Sequence, residues 1–350
     1  MYLSDNSGRK IDYLRVSVTD RCNLRCNYCM PPEGVKNIGH GSILRYDQIL
    51  RIISIVSDLG IKKIKITGGE PLVRKGIEEL VTETIKVSGI EEVTLTTNGV
   101  LLEEKMDQLY NAGIRKINIS LDSINRERYA EVTGFDSLGK VLKGIKKALE
   151  YDNVILKLNA LALRETTWEE ILELAQFAHT RGIILRFIEV MPMGMAKGIE
   201  GRTTEELLRI LEGKWGEPRP LEATFGNGPA TYFQFEKSGG KVGFISPISH
   251  KFCSSCNRIR LTADGILKTC LNYEGGLDLK KMLAEGESNE TISRAVKEAI
   301  AAKPQGHCFH DKYLRKATLA GTDLGLNREE NNLADDSLTV EKRIMSRIGG

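Results

Sequence analysis

The sequence has little net charge and no long apolar run, and both shortages exclude functions. Its 350 residues include 50 Lys and Arg against 47 Asp and Glu, which leaves a net charge of +3. A charge this small gives no reason to expect a nucleic acid as a partner. No apolar stretch is long enough to span a bilayer, and residues 1–10 lack the apolar core of a signal peptide. We therefore expect a cytoplasmic protein with no membrane anchor and no nucleic-acid ligand.

The sequence also lacks the cysteine pattern of a disulfide scaffold. It has seven cysteines, and six of them fall into two tight groups of three, with Cys308 left over. The two groups are Cys22, Cys26 and Cys29, and Cys253, Cys256 and Cys270. Two triads and one odd cysteine suit thiolate ligands of metals better than three disulfides.

The first triad has the spacing C-x3-C-x2-C and follows a predicted strand. Three thiolates on one short loop can bind three corners of a four-iron cluster, which leaves the fourth iron open to a small molecule. Structural zinc usually takes four ligands, and the only nearby histidine is His40. The spacing resembles that of the radical S-adenosylmethionine (radical SAM) superfamily, whose open iron binds SAM.

Strand-like and helix-like segments alternate through the first two thirds of the chain. The predicted strands are Leu14–Thr19, Lys63–Thr67, Glu92–Thr97, Lys116–Asp122, Val154–Ala160 and Ile183–Glu189. The predicted helices between them are Tyr46–Leu59, Ile77–Ser88, Leu102–Ala112, Leu138–Glu150 and Trp168–Arg181. Six βα units in series predict an α/β fold, a partial (βα)6 TIM-like barrel with an open side.

The pattern changes at about Gly213, where glycine and proline become frequent and short alternating runs replace the βα units. We therefore predict a radical SAM partial barrel over residues 1–212 and a C-terminal α+β extension over residues 213–350. The turn at residues 263–265 predicts a hairpin between Arg258–Thr262 and Ile266–Thr269.

Polar and turn residues follow each predicted strand, and parallel strands end at one mouth of a barrel. The second strand is followed by Gly68, Gly69 and Glu70 before Pro71. Glycines let the backbone approach a ligand, and Glu70 could accept a hydrogen bond from an ammonium group. An ordinary strand-to-helix turn is the alternative. The position after the cysteine loop and one βα unit favours SAM binding.

The second triad has the spacing C-x2-C-x13-C, again with three thiolates rather than four. Zinc completed by His250 or His307 is an alternative on spacing alone. A second four-iron cluster with its own open iron is the sharper hypothesis. Arg258 and Arg260 alternate on the neighbouring strand and should face one side, where they suit a polyanion such as a phosphate chain. A solvated strand face is the alternative.

Together the two triads resemble the GTP 3′,8-cyclase family of molybdenum cofactor biosynthesis, whose members are radical SAM enzymes. The resemblance is carried by segments 20–31, 67–71, 186–192 and 256–260, and by the final Gly349-Gly350. The first segment fits many radical SAM enzymes. The second triad with Asn257-Arg258-Ile259-Arg260 and the terminal glycines are much more specific.

The resemblance implies a role for each matching residue. It implies that Cys22, Cys26 and Cys29 bind the SAM cluster, and that Cys253, Cys256 and Cys270 bind a second [4Fe-4S] cluster whose open iron takes the guanine of GTP. It implies SAM contacts from Tyr28, Gly69, Ser120 and Met191. It implies GTP contacts from Arg15, Lys65, Thr96, Lys157, Arg258 and Arg260. Lys65 stands where the family usually has arginine, which keeps the charge without the bidentate fork. Gly349 and Gly350 match a tail that reaches the active site, and Cys308 is interpreted as a non-ligand thiol.

The resemblance also implies a mechanism. One electron cleaves SAM to methionine and a 5′-deoxyadenosyl radical, which abstracts the ribose 3′-hydrogen of GTP so that C3′ attacks guanine C8. The partners implied are GTP, a one-electron reductant protein and a second copy of the chain. The alternatives are a radical SAM peptide maturase with an auxiliary cluster, an electron-transfer or iron-sensing protein, and a zinc-stabilised binding module.

Overall fold

The computed structural model describes residues 2–35, 39–222, 225–309 and 340–348. Its strands are β1 (Tyr13–Ser17), β2 (Lys63–Thr67), β3 (Glu92–Thr97), β4 (Lys116–Ser120), β5 (Ile155–Leu161), β6 (Ile184–Ile188), β7 (Pro218–Leu221), β8 (Thr231–Phe235), β9 (Lys241–Ile245), β10 (Arg258–Leu261), β11 (Ile266–Lys268) and β12 (Leu277–Asp278). Its helices are α1 (Tyr46–Asp58), α2 (Ile77–Lys86), α3 (Leu102–Asn111), α4 (Arg126–Thr133), α5 (Leu138–Ala148), α6 (Trp168–Thr180), α7 (Thr204–Trp215), α8 (Leu279–Ala284) and α9 (Asn289–Ala301).

The strands of the described residues belong to one sheet of 12 strands in the order β12-β11-β10-β1-β2-β3-β4-β5-β6-β9-β8-β7. Strands β1 to β6 pair in parallel with their chain neighbours, as consecutive βα units require. The outer strands β7 and β12 lie at opposite ends of the sheet, so the barrel is open. The predicted fold class, a partial TIM-like barrel, is confirmed.

The alternation of side chains along each strand explains how this sheet is filled. In β1 and β2 the aliphatic residues Leu14, Val16, Ile64 and Ile66 are fully buried in the hydrophobic core shared with the helices. The residues between them project to the opposite face, which is the barrel interior, because successive side chains alternate. The interior is therefore polar while the helix-facing side is apolar.

The C-terminal strands differ from the expected separate extension. Strand β10 pairs in parallel with β1, and β9 pairs in parallel with β6, so both continue the parallel sheet. Strands β10 and β11 form the predicted antiparallel hairpin. Strands from beyond residue 212 therefore extend the sheet at both of its edges. The division into residues 1–212 and 213–350 stays a prediction.

The helix boundaries follow capping chemistry as well as hydrophobic periodicity. Helix α6 begins after Thr167, whose hydroxyl accepts from the Glu170 N–H at 3.3 Å while the Glu170 carboxylate accepts from the Thr167 N–H at 2.8 Å. This reciprocal capping box satisfies two backbone donors at the start of the helix. Within the part of the chain that the structure describes, no helix is both long and apolar enough to cross a membrane.

Candidate active site

The first cysteine loop lies at the carboxyl end of β1 and is fixed to the end of α4. The Arg25 N–H donates to the Thr133 carbonyl at 2.8 Å, and the Asn27 N–H donates to the Val132 carbonyl at 3.0 Å. Within the loop the Cys29 N–H donates to the Cys26 carbonyl at 2.9 Å. These bonds fold the loop into a turn, so that its three thiols share one small region.

The thiols of this loop have the chemistry of a thiolate donor set. Cys22, Cys26 and Cys29 are free and half-buried, and each thiolate would feel at least one of the others. Burial raises the pKa of Cys22 to about 11 and that of Cys29 to about 12. Burial likewise raises the pKa of Cys26, and the neighbouring acidic groups add to it. Thiols held neutral by burial are readily stabilised as thiolates by iron, so the donor set fits a four-iron cluster.

The two glycines after β2 allow that strand's loop to pack on the cysteine loop. The Gly69 N–H donates to the Thr19 carbonyl at 2.6 Å. A Cβ on Gly69 would lie 2.3 Å from the Arg21 carbonyl oxygen, and one on Gly68 would lie 2.7 Å from the Thr19 carbonyl oxygen. The glycines are therefore required for backbone contact with the segment that leads into Cys22, whether or not a ligand also touches them.

The Glu70 carboxylate accepts three hydrogen bonds from other parts of the protein. Glu70 is 1% exposed, and its carboxylate accepts from the Leu72 N–H at 3.0 Å, the Thr97 hydroxyl at 2.7 Å and the Asn98 N–H at 2.6 Å. Burial raises its pKa to about 7, although these hydrogen bonds oppose the shift. Glu70 thus ties the β2 loop to the end of β3, and its predicted contact with SAM stays a prediction.

Asn98 connects this network to the cluster loop. Its side-chain amide donates to the Asn23 side-chain oxygen at 2.7 Å and lies 3.7 Å from the Cys22 sulfur. No ligand role was predicted for Asn98, although the sequence places it in the polar turn that follows β3.

The other predicted SAM contacts lie around the same mouth. The Tyr28 hydroxyl donates to the Asp122 carboxylate at 2.7 Å, just beyond β4. Ser120 is the exposed last residue of β4 and pairs in register with Asn159 of β5. Met191 follows β6 and packs against a small apolar cluster that includes Met193. All these residues follow or end parallel strands, as the sequence predicted.

The predicted phosphate contacts form a cationic row across the barrel interior. Arg260 of β10, Arg15 of β1 and Lys65 of β2 lie in register on three adjacent strands. Burial, reinforced by neighbouring cations, lowers the pKa of each of these three side chains. Arg258 lies two residues before Arg260 on the same face, in register with Tyr13. The structure therefore brings these four predicted residues together.

Lys157 and Arg186 line the opposite part of this interior. Burial lowers the pKa of Lys157 to about 8, and Arg186 contributes further. The Lys157 ammonium donates to the Phe225 carbonyl, and Arg186 donates to the Asn118 side-chain oxygen. Asn118 pairs in register with both Lys157 and Thr96, the remaining predicted contact. A cavity of about 40 Å³ lies between these residues and the 226–228 segment.

Two guanidinium nitrogens in this interior have no anionic partner in the described residues. The Nε atoms of Arg186 and Arg258 are buried and have no hydrogen-bond acceptor there. Buried polar groups nearly always have a partner in the functional state of a protein. Arg186 was not among the predicted substrate residues, although its place on β6 before the mouth could have indicated it.

The second triad lies on the loop before β10 and just after β11. Cys253, Cys256 and Cys270 are free and half-buried. Burial would raise the pKa of Cys256, but the positive charges of Lys303 and Arg258 outweigh it and lower that pKa. Burial raises the pKa of Cys270. Three thiols with adjacent cations form a donor set that fits a second metal centre.

The histidines of the zinc alternative have other partners. The His250 side chain is 64% exposed and lies 3.7 Å from the Glu205 carboxylate. The His307 ring donates to the Pro247 carbonyl at 2.6 Å. The described residues contain no group of three His, Cys, Asp or Glu side chains placed to hold a metal ion, the two cysteine triads included, so the fit of the triads to metal centres rests on the chemistry of their donors. Cys308 accepts from the Asn272 side-chain amide at 3.2 Å.

The last described segment, residues 340–348, docks beside both cysteine loops. The Ser346 N–H donates to the Cys29 sulfur. Ile348 is fully buried with Met193 and Phe309. Gly349 and Gly350, predicted to be catalytic, lie outside the described residues.

Comparison with known proteins identifies the family. Residues 16–178 match the family model of the radical SAM superfamily, and residues 183–309 match that of Molybdenum Cofactor Synthesis C. A GTP 3′,8-cyclase of Clostridium perfringens (strain SM101 / Type A) is 42% identical over 89% of this chain and 96% of its own length. That of Pelotomaculum thermopropionicum is 43% identical over 87% of this chain and 95% of its own. The chain belongs to the GTP 3′,8-cyclase family.

Membership confirms the predicted family, and the radical SAM match implies one [4Fe-4S] cluster and SAM. Among solved structures, Streptococcus suis SuiB bound to S-adenosylmethionine aligns with a TM-score of 0.60 and 15% identity. The alignment covers 85% of this chain and 73% of SuiB. At this identity the likeness concerns the fold alone.

Proposed function

We propose that this chain catalyses the cyclisation of GTP to 3′,8-cyclo-7,8-dihydro-GTP, the first step of molybdenum cofactor biosynthesis. The curated relatives at 42–43% identity are named for this activity, and one family model is that of molybdenum cofactor synthesis. The observation that supports the proposal best is the cationic barrel interior, which opens toward the mouth where the first cysteine loop lies. A polyanionic substrate bound there would place its other end near that loop.

Cys22, Cys26 and Cys29 would bind the first cluster, and Tyr28, Gly69, Ser120 and Met191 would surround SAM. When bound, the cluster and SAM supply a one-electron cleavage that produces a carbon radical. The protein's task is then orientation and exclusion of water. Glu70 would hold the β2 loop in place so that the loop can receive the ligand.

The cations of the barrel interior would bind the triphosphate. Arg15, Lys65, Lys157, Arg258 and Arg260 are the predicted contacts, and Arg186 shares their electrostatic environment. Bringing so many positive charges together costs stability unless an anion compensates them. Within the described residues, the Nε atoms of Arg186 and Arg258 have no acceptor, and phosphate oxygens would satisfy these donors.

Cys253, Cys256 and Cys270 would bind a second four-iron cluster, with the guanine on its open iron. The support is the repeated three-thiol donor set and the adjacent positive charges. GTP would then be anchored at both ends, with its base on iron and its phosphates on the cations. A one-electron reductant protein and a homodimer complete the proposal.

The deciding experiment is anaerobic reconstitution followed by incubation with dithionite, SAM and GTP deuterated at C3′. We expect about eight irons per chain, a cyclised isomer of GTP, and 5′-deoxyadenosine that contains the deuterium. Mass spectrometry of the nucleotides measures all the products. 5′-Deoxyadenosine formed without deuterium and without loss of GTP would refute the cyclase and favour the peptide maturase. About four irons with one zinc would refute the second cluster.

A further inference from the structure

The N-terminal segment contains a buried ion pair that no part of the proposed chemistry uses. Arg9 is 7% exposed, and its Nε donates to the Asp5 carboxylate at 2.5 Å. The other Asp5 oxygen accepts from the Ser7 N–H at 2.9 Å and the Arg9 N–H at 3.0 Å. Asp5 therefore neutralises Arg9 and fixes its direction through a turn of its own backbone.

All the remaining donors of Arg9 go to two distant backbone segments. One terminal nitrogen donates to the carbonyls of Cys253 at 2.9 Å and Gln305 at 3.0 Å. The other donates to the carbonyls of Lys303 at 3.2 Å and Pro304 at 2.7 Å. A guanidinium group has five N–H donors, so each has a protein acceptor. Because every donor of Arg9 has an acceptor, Arg9 fixes the positions of Cys253 and of residues 303–305 relative to each other.

The Cys253 carbonyl accepts two hydrogen bonds that fix the second cysteine loop, and one of them comes from Arg9. It also accepts from the Cys256 N–H at 3.2 Å, which closes the turn between these two cysteines. Arg9 therefore binds the same oxygen that sets the spacing of two thiols. The turn at residues 303–305 leads into Gly306, which lies next to Cys253. A Cβ on Gly306 would be 3.9 Å from the Cys253 sulfur.

Lys303 extends the connection to the rest of the triad. It is buried, and its ammonium donates to the Arg258 carbonyl at 3.1 Å and to the Thr269 carbonyl. Thr269 directly precedes Cys270, and Arg258 is a predicted phosphate contact. The turn that Arg9 holds thus fixes the backbone beside the third thiol as well.

We propose that Asp5 and Arg9 form a clamp that positions the second cysteine triad without touching the metal. This inference rests on the proposal that the second triad binds a metal centre, because the clamp would set the geometry of that centre. Lysine can replace Arg9 only in part, because three donors on one nitrogen cannot reach the Asp5 carboxylate and four carbonyls in two separate segments.

The test uses the full-length chain with Arg9→Gln and Arg9→Lys, reconstituted anaerobically. The control is Arg45→Gln, which removes an exposed partner of Asp47. Iron and zinc per chain are measured by mass spectrometry, the reduced clusters by electron paramagnetic resonance, and SAM cleavage without GTP reports on the first cluster. Thermal unfolding by circular dichroism checks that each variant is folded.

We expect Arg9→Gln to lose at least half of the metal at the second triad, and Arg9→Lys to retain metal with an altered spectrum of that centre. SAM cleavage should stay within twofold of the wild type, and the control should change nothing. Full metal content with an unchanged spectrum in both folded variants would overturn the clamp, as would equal losses at both triads. If the wild type has about four irons and one zinc, the second cluster is refuted, and the clamp is judged by zinc retention instead.

Discussion

At the scale of single residues, the barrel interior concentrates positive charge on side chains that have lost most of their water. Burial lowers the pKa of Lys65 well below its usual value and that of Lys157 to about 8. The neighbouring cations Arg15 and Arg186 add to these shifts. A site of this kind is electrostatically strained when empty and relaxes when a polyanion binds.

The lowered pKa of Lys157 predicts that GTP binding weakens at alkaline pH. The ammonium is charged below pH 8 and loses its charge above it, while a bound phosphate favours the charged form. Binding should therefore take up a proton above pH 8, and the Kd should rise by at most tenfold per pH unit for each lysine involved. Isothermal titration of GTP between pH 7 and 9.5 measures this slope.

Several charged groups face Lys157, so the control must isolate its contribution. Arg186 and Lys116 lower its pKa and Glu92 raises it, and Lys65 would titrate in the same field. Lys157→Arg keeps the charge at every pH tested, so it should reduce the slope by one proton while leaving the Lys65 contribution. An unchanged slope in Lys157→Arg would show that Lys157 does not titrate on binding.

Residue identities were predictable wherever the chemistry depends on local spacing. The two triads and the alternating pair Arg258 and Arg260 are visible in the sequence because their members lie on one loop or one strand. Glu70 shows the limit of such reasoning. Its carboxylate could be placed at the mouth from the sequence, but the donors from residues 72, 97 and 98 depend on how two loops pack.

At the scale of elements, the predicted strands and helices of the first two thirds agree with the structure to within two residues at each end. Two helices of this region, α4 and α7, were not predicted. Helix α4 is largely polar and has few buried residues, so it lacks a strong apolar periodicity. Its start was nevertheless marked by Asn125, whose side chain accepts from the Arg128 N–H at 3.0 Å.

The position of segment 340–348 was implied only by the family resemblance of the tail, because no local sequence pattern predicts the contacts that hold it. Its docking depends on a buried ion pair between Lys268 and Glu341, whose side chains are 1% and 0% exposed. The Glu341 N–H also donates to the Asn272 carbonyl at 2.7 Å. Although burial opposes it, hydrogen bonds from Arg343 and Lys268 lower the pKa of Glu341 to about 2. Lys268 and Glu341 are too far apart in the sequence for any local pattern to predict that they pair.

We predict that Glu341→Gln releases this segment. Removing one partner of a buried pair leaves an uncompensated charge and costs about 3–5 kcal/mol. Hydrogen exchange of the 340–348 amides should accelerate by about a hundredfold or more, since exchange there requires local opening. GTP cyclisation and SAM cleavage should both fall in the product assay, because the Ser346 N–H donates to the sulfur of Cys29, a predicted ligand of the SAM cluster.

The matched control is Lys342→Gln, one residue away. Lys342 is 74% exposed and lies 3.9 Å from Glu274, and exposed pairs contribute about 0–1 kcal/mol. It should leave both exchange and activity close to the wild type. Equal effects of the two substitutions would mean that the buried pair does not dock the segment.

At the scale of the whole molecule, one sheet joins the two parts into which the sequence divides by composition. The change of composition near Gly213 is real, but composition does not determine strand pairing. Alternating runs such as Lys241–Ile245 are compatible with parallel or antiparallel neighbours, and only long-range contacts select β6 as the partner of β9. The fold class and the two strands that extend the barrel were therefore predictable from local patterns, whereas the parallel pairing of those strands with β1 and β6 was not.

This continuity predicts that residues 1–212 and 213–350 unfold together. Strand β10 covers one edge of the N-terminal strands and β9 covers the other, so removing either would expose unpaired backbone groups. In urea, far-ultraviolet circular dichroism and the fluorescence of Trp215, which is buried against Phe235 of β8, should give coincident transitions. Trp168→Phe removes the exposed second tryptophan so that fluorescence reports on Trp215 alone. Two separated transitions would instead establish residues 1–212 as an independent folding unit, and the fragment would then be expected to fold when produced alone.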